Sequence, residues 1–564
     1  MLFLVRSSCG ILPVLNNSYN YIRTRHVKIK LYKHTTYYIQ KLWKSNVKKS
    51  DTKQPSYAEV ESQVSFEQMV EAHRQEAQRS VLVQVHSEES CPDLRQYCNQ
   101  HGEVRGMHHY SLPPDLHFVV VEFEDSAHVH NILNVSGHIN KEVVPVQSPF
   151  LWFRAPKKAS QSKQDFSPQA HVEAPSTEEL QNWMNAAQSL SDQLLVLHRA
   201  TALNDLGSRL RFLTARQIEL ALAGLFPHVK ALPFGSSVNG FGRATCDLDV
   251  VLLPDCEVPS DDCRLVFHAK AALMGGRPQT QRLMETLGDV CQLLLPGCSH
   301  VRRVLQARVP IIKFKHELTG IECDLSLDND TAVHMSALLY TLGTSDPRVR
   351  PLVGAVRRWA REVGLTNPAP GRWITNFSLT LLVLFYLQQH GVLPLLGATG
   401  DVVRLPGSVK TDLAALFTGF FEFYASFDFA SYAVSLSSKV EVPKPDHAPL
   451  YIVNPLERGL NVSRNVSRDE TERLRVELRN AAWLLESVPL DPGTAKSWGL
   501  AALLEAPHAA AKGRNIFYIP PRRSTPSRMM DVTELFDKST VEMQQHTEEK
   551  PSRVVKASSR QRRR

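Results

Sequence analysis

The sequence predicts an α+β fold, and three observations carry that prediction. A glycine- and serine-rich turn, Phe234-Gly235-Ser236-Ser237, leads into a strand pattern that bears Asp247 and Asp249. A second pair of strands follows between Pro310 and Leu325, joined by a turn at Glu317 to Gly320. From about Thr331 to about Leu396 the apolar spacing becomes helical.

The chain opens with a leader, residues 1–60. It has no acidic residue before Asp51, but ten basic ones: Arg6, Arg23, Arg25, Lys28, Lys30, Lys33, Lys41, Lys44, Lys48 and Lys49. An acid-free, hydroxyl-rich leader of this kind reads as a mitochondrial transit peptide. A basic arm that binds nucleic acid is the alternative. Formal net charge is +8, and subtracting those ten charges leaves −2 for the remainder. Global basicity is therefore no argument for a nucleic-acid partner, and any RNA contact has to come from local patches.

Residues 65–150 form the next unit. Val81–Val85 reads as a strand, Asp93–Gln100 as a helix, His117–Phe123 as a strand and about Ala127 to Leu133 as a helix. This order resembles an RNA-recognition motif. Phe118 and Phe123 fit its aromatic positions, but Leu82 and Val120 stand where other aromatic rings would stack on bases. The strands could instead bury Phe118 in a core. His108-His109 reads as a loop pair and not as a metal site.

A linker rich in Lys, Ser, Gln and Pro covers 151–175, and Ser176-Thr177-Glu178-Glu179 opens a helix with a capping box. Leu203, Leu206, Leu210 and Leu213 continue at helical spacing and are expected to pack on the sheet that follows. That sheet, with its preceding helices, is assigned to 176–330; its long connection, Cys256 to Ser299, contains the turn Gly275-Gly276-Arg277-Pro278. A helical lobe is assigned to 331–510. Its apolar stretch Ile374 to Leu387 is shorter than the ~20 residues needed to span a bilayer, so it reads as a buried helix with no membrane role. The tail, 520–564, is poor in apolar residues, ends in Arg560-Gln561-Arg562-Arg563-Arg564 and reads as disordered. The nine cysteines are scattered and form no Cys-x-x-Cys, so Cys246 and Cys323 read as small apolar filler in a reducing compartment.

The chemistry lies in the turn and the strands after it. Alternate residues of a strand share a face, so Asp247 and Asp249 project together. Paired carboxylates repel one another unless a cation sits between them. Hard oxygen ligands suit Mg²⁺ or Mn²⁺, and a pair of such ions suits phosphoryl or nucleotidyl transfer. Gly235 lets the backbone approach a phosphate, and Ser236 and Ser237 offer donors. No Gly-Lys-Ser/Thr follows, so this is not a Walker loop. In the later strand Ile321, Cys323 and Leu325 share one face, and Glu322 and Asp324 the other. Asp324, deeper in the strand, is the third carboxylate; Glu322 reads as solvated.

Gly-Ser, then Asp-x-Asp, then a later strand Asp resembles the DNA polymerase β-like nucleotidyltransferases. Asp346-Pro347-Arg348-Val349-Arg350-Pro351-Leu352, Val356-Arg357-Arg358-Trp359-Ala360 and Thr375-Asn376-Phe377-Ser378-Leu379 resemble their noncanonical poly(A) and poly(U) polymerase branch. Trp373 to Thr380, Leu450-Tyr451-Ile452-Val453-Asn454-Pro455 and Asn461 to Ser467 are similar to the mitochondrial poly(A) polymerases of animals. The resemblance implies a nucleotidyltransferase palm with a helical second lobe, which includes the PAP-associated domain, and an N-terminal RNA-recognition-motif-like (RL) domain. It implies template-independent addition of nucleotides from ATP to the 3′ end of mitochondrial RNA in the matrix. Asp247, Asp249 and Asp324 would hold two Mg²⁺ or Mn²⁺ ions. Phe234, Gly235, Ser236 and Ser237, with Arg357, Phe377 and Ser378, would bind the nucleotide. Arg357 stands at a triphosphate-binding lysine position, Phe377 at that of a base-stacking tyrosine, and Met335 at that of an asparagine near the ribose. Pairing of two copies through the RL domain is also implied. Leu460 replaces a histidine that uridylyl-transferring relatives carry. An apolar side chain cannot hydrogen-bond a uracil carbonyl, which favours ATP. A uridylyltransferase or mixed-nucleotide enzyme stays open, as does an RNA-binding scaffold with an inactive palm.

Overall fold

The computed structural model describes residues 64–138, 147–154, 169–170, 175–226, 228–254, 276–367, 369, 371–397, 402–403, 410–438, 442–487 and 497–511. All fall within the first of two compact units, Met1–Gly513. The leader and the basic tail lie outside the described residues.

Helix α1 (Phe66–Gln78) starts on a capping box that the sequence reading passed over: Ser65 Oγ accepts from the Gln68 amide at 3.2 Å, and Gln68 Oε1 from the Ser65 amide at 3.0 Å. There follow β1 (Ser80–Val85), α2 (Cys91–Cys98), β2 (Val104–Leu112), β3 (Leu116–Phe123), α3 (Ser126–Val135), β4 (Phe150–Trp152) and β5 (Gln169–Ala170). The sheet order is β4-β1-β3-β2-β5. β3 lies between β1 and β2 and runs antiparallel to both, while β4 joins β1 in parallel. His108 and His109 belong to β2 and not to a loop, and Nε2 of His109 bonds Nδ1 of His117 at 3.1 Å. Arg105 and Gly106 had masked that strand's alternation.

Parity decides what this sheet does. Val81, Val83, Val119, Val121 and Phe123 turn toward α2 and α3 and form their core. Leu82, Tyr110, Phe118 and Val120 face the other way and join the core of the second sheet. Phe118 and Phe123, five residues apart, thus lie on opposite faces and could not serve one stacking surface. Phe118 is 1% exposed, and its burial contributes about 2 kcal/mol. The Tyr110 hydroxyl donates to the Leu318 carbonyl at 2.7 Å, and Phe150 packs on His316 with ring centroids 4.9 Å apart. Arg209 donates to buried Glu122 of β3 at 2.7 Å, and Arg74 of α1 to buried Glu219 at 3.0 Å.

Helices α4 (Thr177–Asn185), α5 (Leu190–Thr201) and α6 (Asp205–Leu222) come next. The expected capping box opens α4: Ser176 Oγ accepts from the Glu179 amide at 3.2 Å, and Glu179 Oε2 from the Ser176 amide at 2.8 Å. Leu180, Met184, Leu190, Leu194 and Leu197 pack into the helical lobe, however, and not onto the palm. Only α6 of the three lies against the palm sheet, through Leu206, Leu210, Leu213 and Ile218. That sheet comprises β6 (Lys230–Phe234), β7 (Leu248–Leu253), β8 (Cys298–Val304), β9 (Ile311–His316) and β10 (Ile321–Leu327), in the order β6-β7-β10-β9-β8. Helix α7 (Arg277–Leu293), inside the stretch read as a connection, packs Met284, Leu287 and Cys291 against it.

The lobe contains α8 (Asp330–Thr344), α9 (Val349–Glu362), α10 (Asn376–Gln389), α11 (Leu413–Ser426), α12 (Arg468–Ser487) and α13 (Gly499–Ala511). Every residue of α10 from Ser378 to Gln388 is buried. A helix apolar on all sides belongs inside a core. No described helix is long and apolar enough to cross a membrane.

Candidate active site

The palm register brings the acidic residues together. β7 pairs in parallel with β10, and Asp249 sits directly across from Asp324. Neighbouring strands are about 4.8 Å apart, so both carboxylates leave one face side by side. Asp247 lies just before β7 and is exposed, whereas Asp249 is half-buried. Leu248, Val250 and Leu252, on the opposite face, are at most 1% exposed and anchor the strand in the core. Cys323 and Leu325 do the same for β10, and Glu322 is exposed.

Phe234 pairs with Asp249 from the other side, and the chain then turns through Gly235–Ser237. Gly235 has φ +66°, and a Cβ there would lie 2.4 Å from Asp249 Oδ2. No side chain fits between the turn and the acid. The Gly235 amide donates to Ser336 Oγ of α8 at 2.8 Å. Ser237 is 6% exposed and its hydroxyl donates to the Asp247 carbonyl at 3.2 Å, so it braces the acid's backbone. Ser236 is half-buried at the turn.

The electrostatics follow from crowding. Desolvation first, then the Asp324 and Asp247 carboxylates, push the Asp249 carboxyl up to about 7. Asp247 is also raised, by desolvation and by Asp324. Lys313, across from Asp324 on β9, places its ammonium 2.7 Å from Asp324 Oδ1. The three carboxylates offer hard oxygen donors of the type divalent cations take, although among the described residues no three acidic or other ligating side chains stand close enough together to hold one, and the Lys313 ammonium occupies Asp324.

Three basic residues escaped the sequence reading. Ile312, Phe314 and His316 are buried, so strand alternation alone puts Lys313 and Lys315 on the face of Asp324. Arg211 is 2% exposed within the apolar stretch Leu210–Leu213. Its guanidinium donates to the carbonyls of Gly207 at 3.0 Å, Ala244 at 3.4 Å and Cys246, which fixes the segment entering Asp247. An arginine on an apolar helical face was the available signal.

The chain is similar to known proteins over most of its length. Residues 190–344 match the family model described as poly(A) RNA polymerase, mitochondrial-like, central palm domain. The mitochondrial poly(A) RNA polymerase of Drosophila melanogaster is 43% identical over 526 residues, covering 84% of each chain. Its Homo sapiens counterpart is 33% identical, over 78% of this chain and 81% of its own. The chain belongs to the mitochondrial poly(A) RNA polymerases. A crystal structure of mtPAP in complex with ATPγS superposes on this polymerase with a TM-score of 0.70 at 32% identity, covering 78% of this chain and 99% of that one.

The lobe residues of the polymerase divide. Phe377 is half-buried near the start of α10, and Thr375 caps that helix by accepting from the Ser378 amide at 3.1 Å. Ser378 itself is 0% exposed and bonds Thr375 Oγ1 at 3.0 Å. The structure does not bring it to an open surface, and its hydroxyl and amide serve the helix start. Arg357 donates to the carbonyls of Phe241 at 2.8 Å and Asn376 at 3.2 Å, and to Thr380 Oγ1. It ties the palm's turn segment to α10. Burial and Arg243 lower it to about 10, so it remains a cation at neutral pH. Met335 packs on the lobe core. Leu460 is half-buried, and Asn461 beside it is a hub, accepting from the Ile452 and Ser463 amides and donating to the Leu450 carbonyl.

Proposed function

We propose that this chain adds adenylate residues to RNA 3′ ends in mitochondria, transferring AMP from ATP without a template and releasing pyrophosphate. The convergence of Asp247, Asp249 and Asp324 beside the Gly235 turn is the observation that carries the reading. In the reaction the primer 3′-oxygen bonds to the α-phosphorus, the bond to pyrophosphate breaks and the hydroxyl proton leaves to solvent.

Asp247 and Asp249 would hold divalent ions, Mg²⁺ or Mn²⁺, and Asp324 would share the ion nearest the primer. Bound there, such ions lower the pKa of the attacking hydroxyl and neutralise the leaving charge. The backbone at Gly235, with Ser236, would grip the β and γ phosphates. Ser237 and Arg211 would keep Asp247 in place. Phe377 would stack on the base, and Arg357 would fix the distance between palm and lobe while lending its charge. Leu460 offers no hydrogen bond to a uracil carbonyl, which supports ATP as donor. Crystal structures of mtPAP exist in complex with ATPγS, GTP, UTP and CTP, so that relative's site admits all four bases.

Two copies pairing through the RL domain, a matrix location and removal of the leader, residues 1–60, complete the proposal. The same holds for division into an RL domain at 65–150, a palm ending near 330 and a lobe ending near 510. Primer extension with each nucleotide separately tests the function. ATP alone should give long products, and Asp249→Ala should give none while keeping the fold. Equal extension with UTP would refute the role of Leu460, and an active Asp249→Ala would refute the site. Light scattering across a dilution series tests the pairing.

A further inference from the structure

Behind the turn segment lies a small cleft with arginines in its walls. It is formed by Gly240–Arg243 of the palm, the end of α5 and one face of α9, and is lined among others by His198, Phe241, Arg243, Arg350, Arg357 and Arg358. Its charge is one-sided. Among the described residues Arg358 has a carboxylate, Glu362, at 2.7 Å. Arg357 is spent on two carbonyls and a hydroxyl. Arg350 lies 5.5 Å over the Tyr340 ring and against Gly240, where a Cβ would come within 2.6 Å of its guanidinium. Arg350 Nε is buried with no hydrogen-bond partner. Arg243 has no carboxylate within 4.0 Å among the described residues; desolvation, then Arg361 and Arg358, depress its pKa, and the more distant Glu362 offsets part of this.

Half-buried guanidiniums without counter-charge are costly. The C-terminal end of α5 points its carbonyls here and offsets only about half a charge. Three guanidiniums, those of Arg243, Arg350 and Arg357, are left without a carboxylate partner of their own among the described residues, together with an orphan N–H and an imidazole. A phosphate group supplies what is missing: two negative charges and several acceptors that a guanidinium fork matches. The cleft walls belong to the palm on one side and to the lobe on the other, so an occupant would cross-link them.

We propose that this cleft is an oxyanion site that takes one phosphate group, held chiefly by Arg243 and Arg350, and that its occupant ties the palm segment Gly240–Arg243 to α5 and α9. The phosphate can come from free orthophosphate or from the tail of a bound nucleotide.

The test uses the full chain and thermal unfolding at constant ionic strength. Orthophosphate at about 10 mM in place of chloride should raise Tm by about 2 °C. Arg243→Gln and Arg350→Gln should each abolish the shift, and Arg243→Lys should retain at least half of it, which separates lost charge from lost folding. ATP kinetics of Arg243→Gln identify the source. A KM within about twofold of the parent assigns the site to free phosphate; a rise of about tenfold, 1.4 kcal/mol, assigns it to the nucleotide tail. The proposal is overturned if Arg243→Gln keeps the full orthophosphate shift, or if the shift disappears only with Ser236→Ala, which would place the anion at the catalytic turn. It is equally overturned if the parent shows no shift and Arg243→Gln binds ATP normally. Because the thermal readout needs no turnover, failure here leaves the polymerase assignment untouched.

Discussion

At the scale of single residues, Asp249 carries the most. Its carboxyl is raised from an ordinary 3.8 to about 7 in the cation-free fold. A carboxyl raised on folding is tolerated while protonated and costs stability once ionised. Cation-free protein should therefore lose stability as pH rises from about 4 to about 7, and Asp249→Asn should remove that loss; unfolding curves across this range check the sign. Protons and cations compete for the same oxygens, so apparent Mg²⁺ affinity should fall by up to about tenfold per pH unit below pH 7 and level off above it. Titrating Mg²⁺ against Tm at several pH values measures this. Gly235→Ala is the sharpest steric probe. The new methyl meets Asp249 Oδ2 at 2.4 Å, in a backbone conformation with φ +66° that disfavours a side chain. A loss of about 100-fold in kcat is expected, with about 1–3 kcal/mol of stability. The three aspartates were readable because a strand's period of two leaves little choice of face. Arg357 and Ser378 were not: spacing places a residue on a helix but does not say that carbonyls or a cap will use its donors.

At the scale of elements, the outcome depended on how pure the pattern was. β9 and β10 alternate cleanly around a short turn, and their limits, Ile311–His316 and Ile321–Leu327, fall close to those expected. α7 was missed because Gly275-Gly276-Arg277-Pro278 read as a turn within a connection, although Pro at a helix start is compatible with a helix. β2 was missed because polar residues interrupt it, while Met107 and Tyr110 are still buried on opposite faces. The RL sheet yields a clear test. Phe118→Leu should cost about 1 kcal/mol of stability and leave RNA affinity within twofold, since the ring is packed on the palm. A ring that stacked on a base would forfeit about 1–3 kcal/mol of RNA binding instead. Fluorescence anisotropy with a labelled primer distinguishes the two.

For the whole molecule, charge is unevenly spent. The stretch before Asp51 holds ten Lys and Arg residues and no acid, and without them the formal charge falls from +8 to −2. At low salt, chain that keeps the leader should bind RNA more tightly than chain starting at Asp51, and the advantage should vanish near 0.2 M salt. The slope of log K against log salt should differ by up to about 0.7 for each phosphate the leader contacts. Binding isotherms over a salt series decide this; identical slopes would mean that the leader never touches RNA. Palm and lobe also meet at Arg308 and Glu457, an exposed pair 2.9 Å apart, and screened surface pairs of this type contribute little. Palm and lobe are held together instead by enclosed contacts such as Arg357 to Phe241.

The RL module has committed its flat side to the enzyme's own scaffold. Whatever else it meets, whether a second copy or another macromolecule, must approach over α2 and α3 or along the short outer strands β4 and β5. Any recognition it performs is therefore that of a bracket gripped from outside, and substitutions that disturb such recognition should cluster on its outward helices and rims.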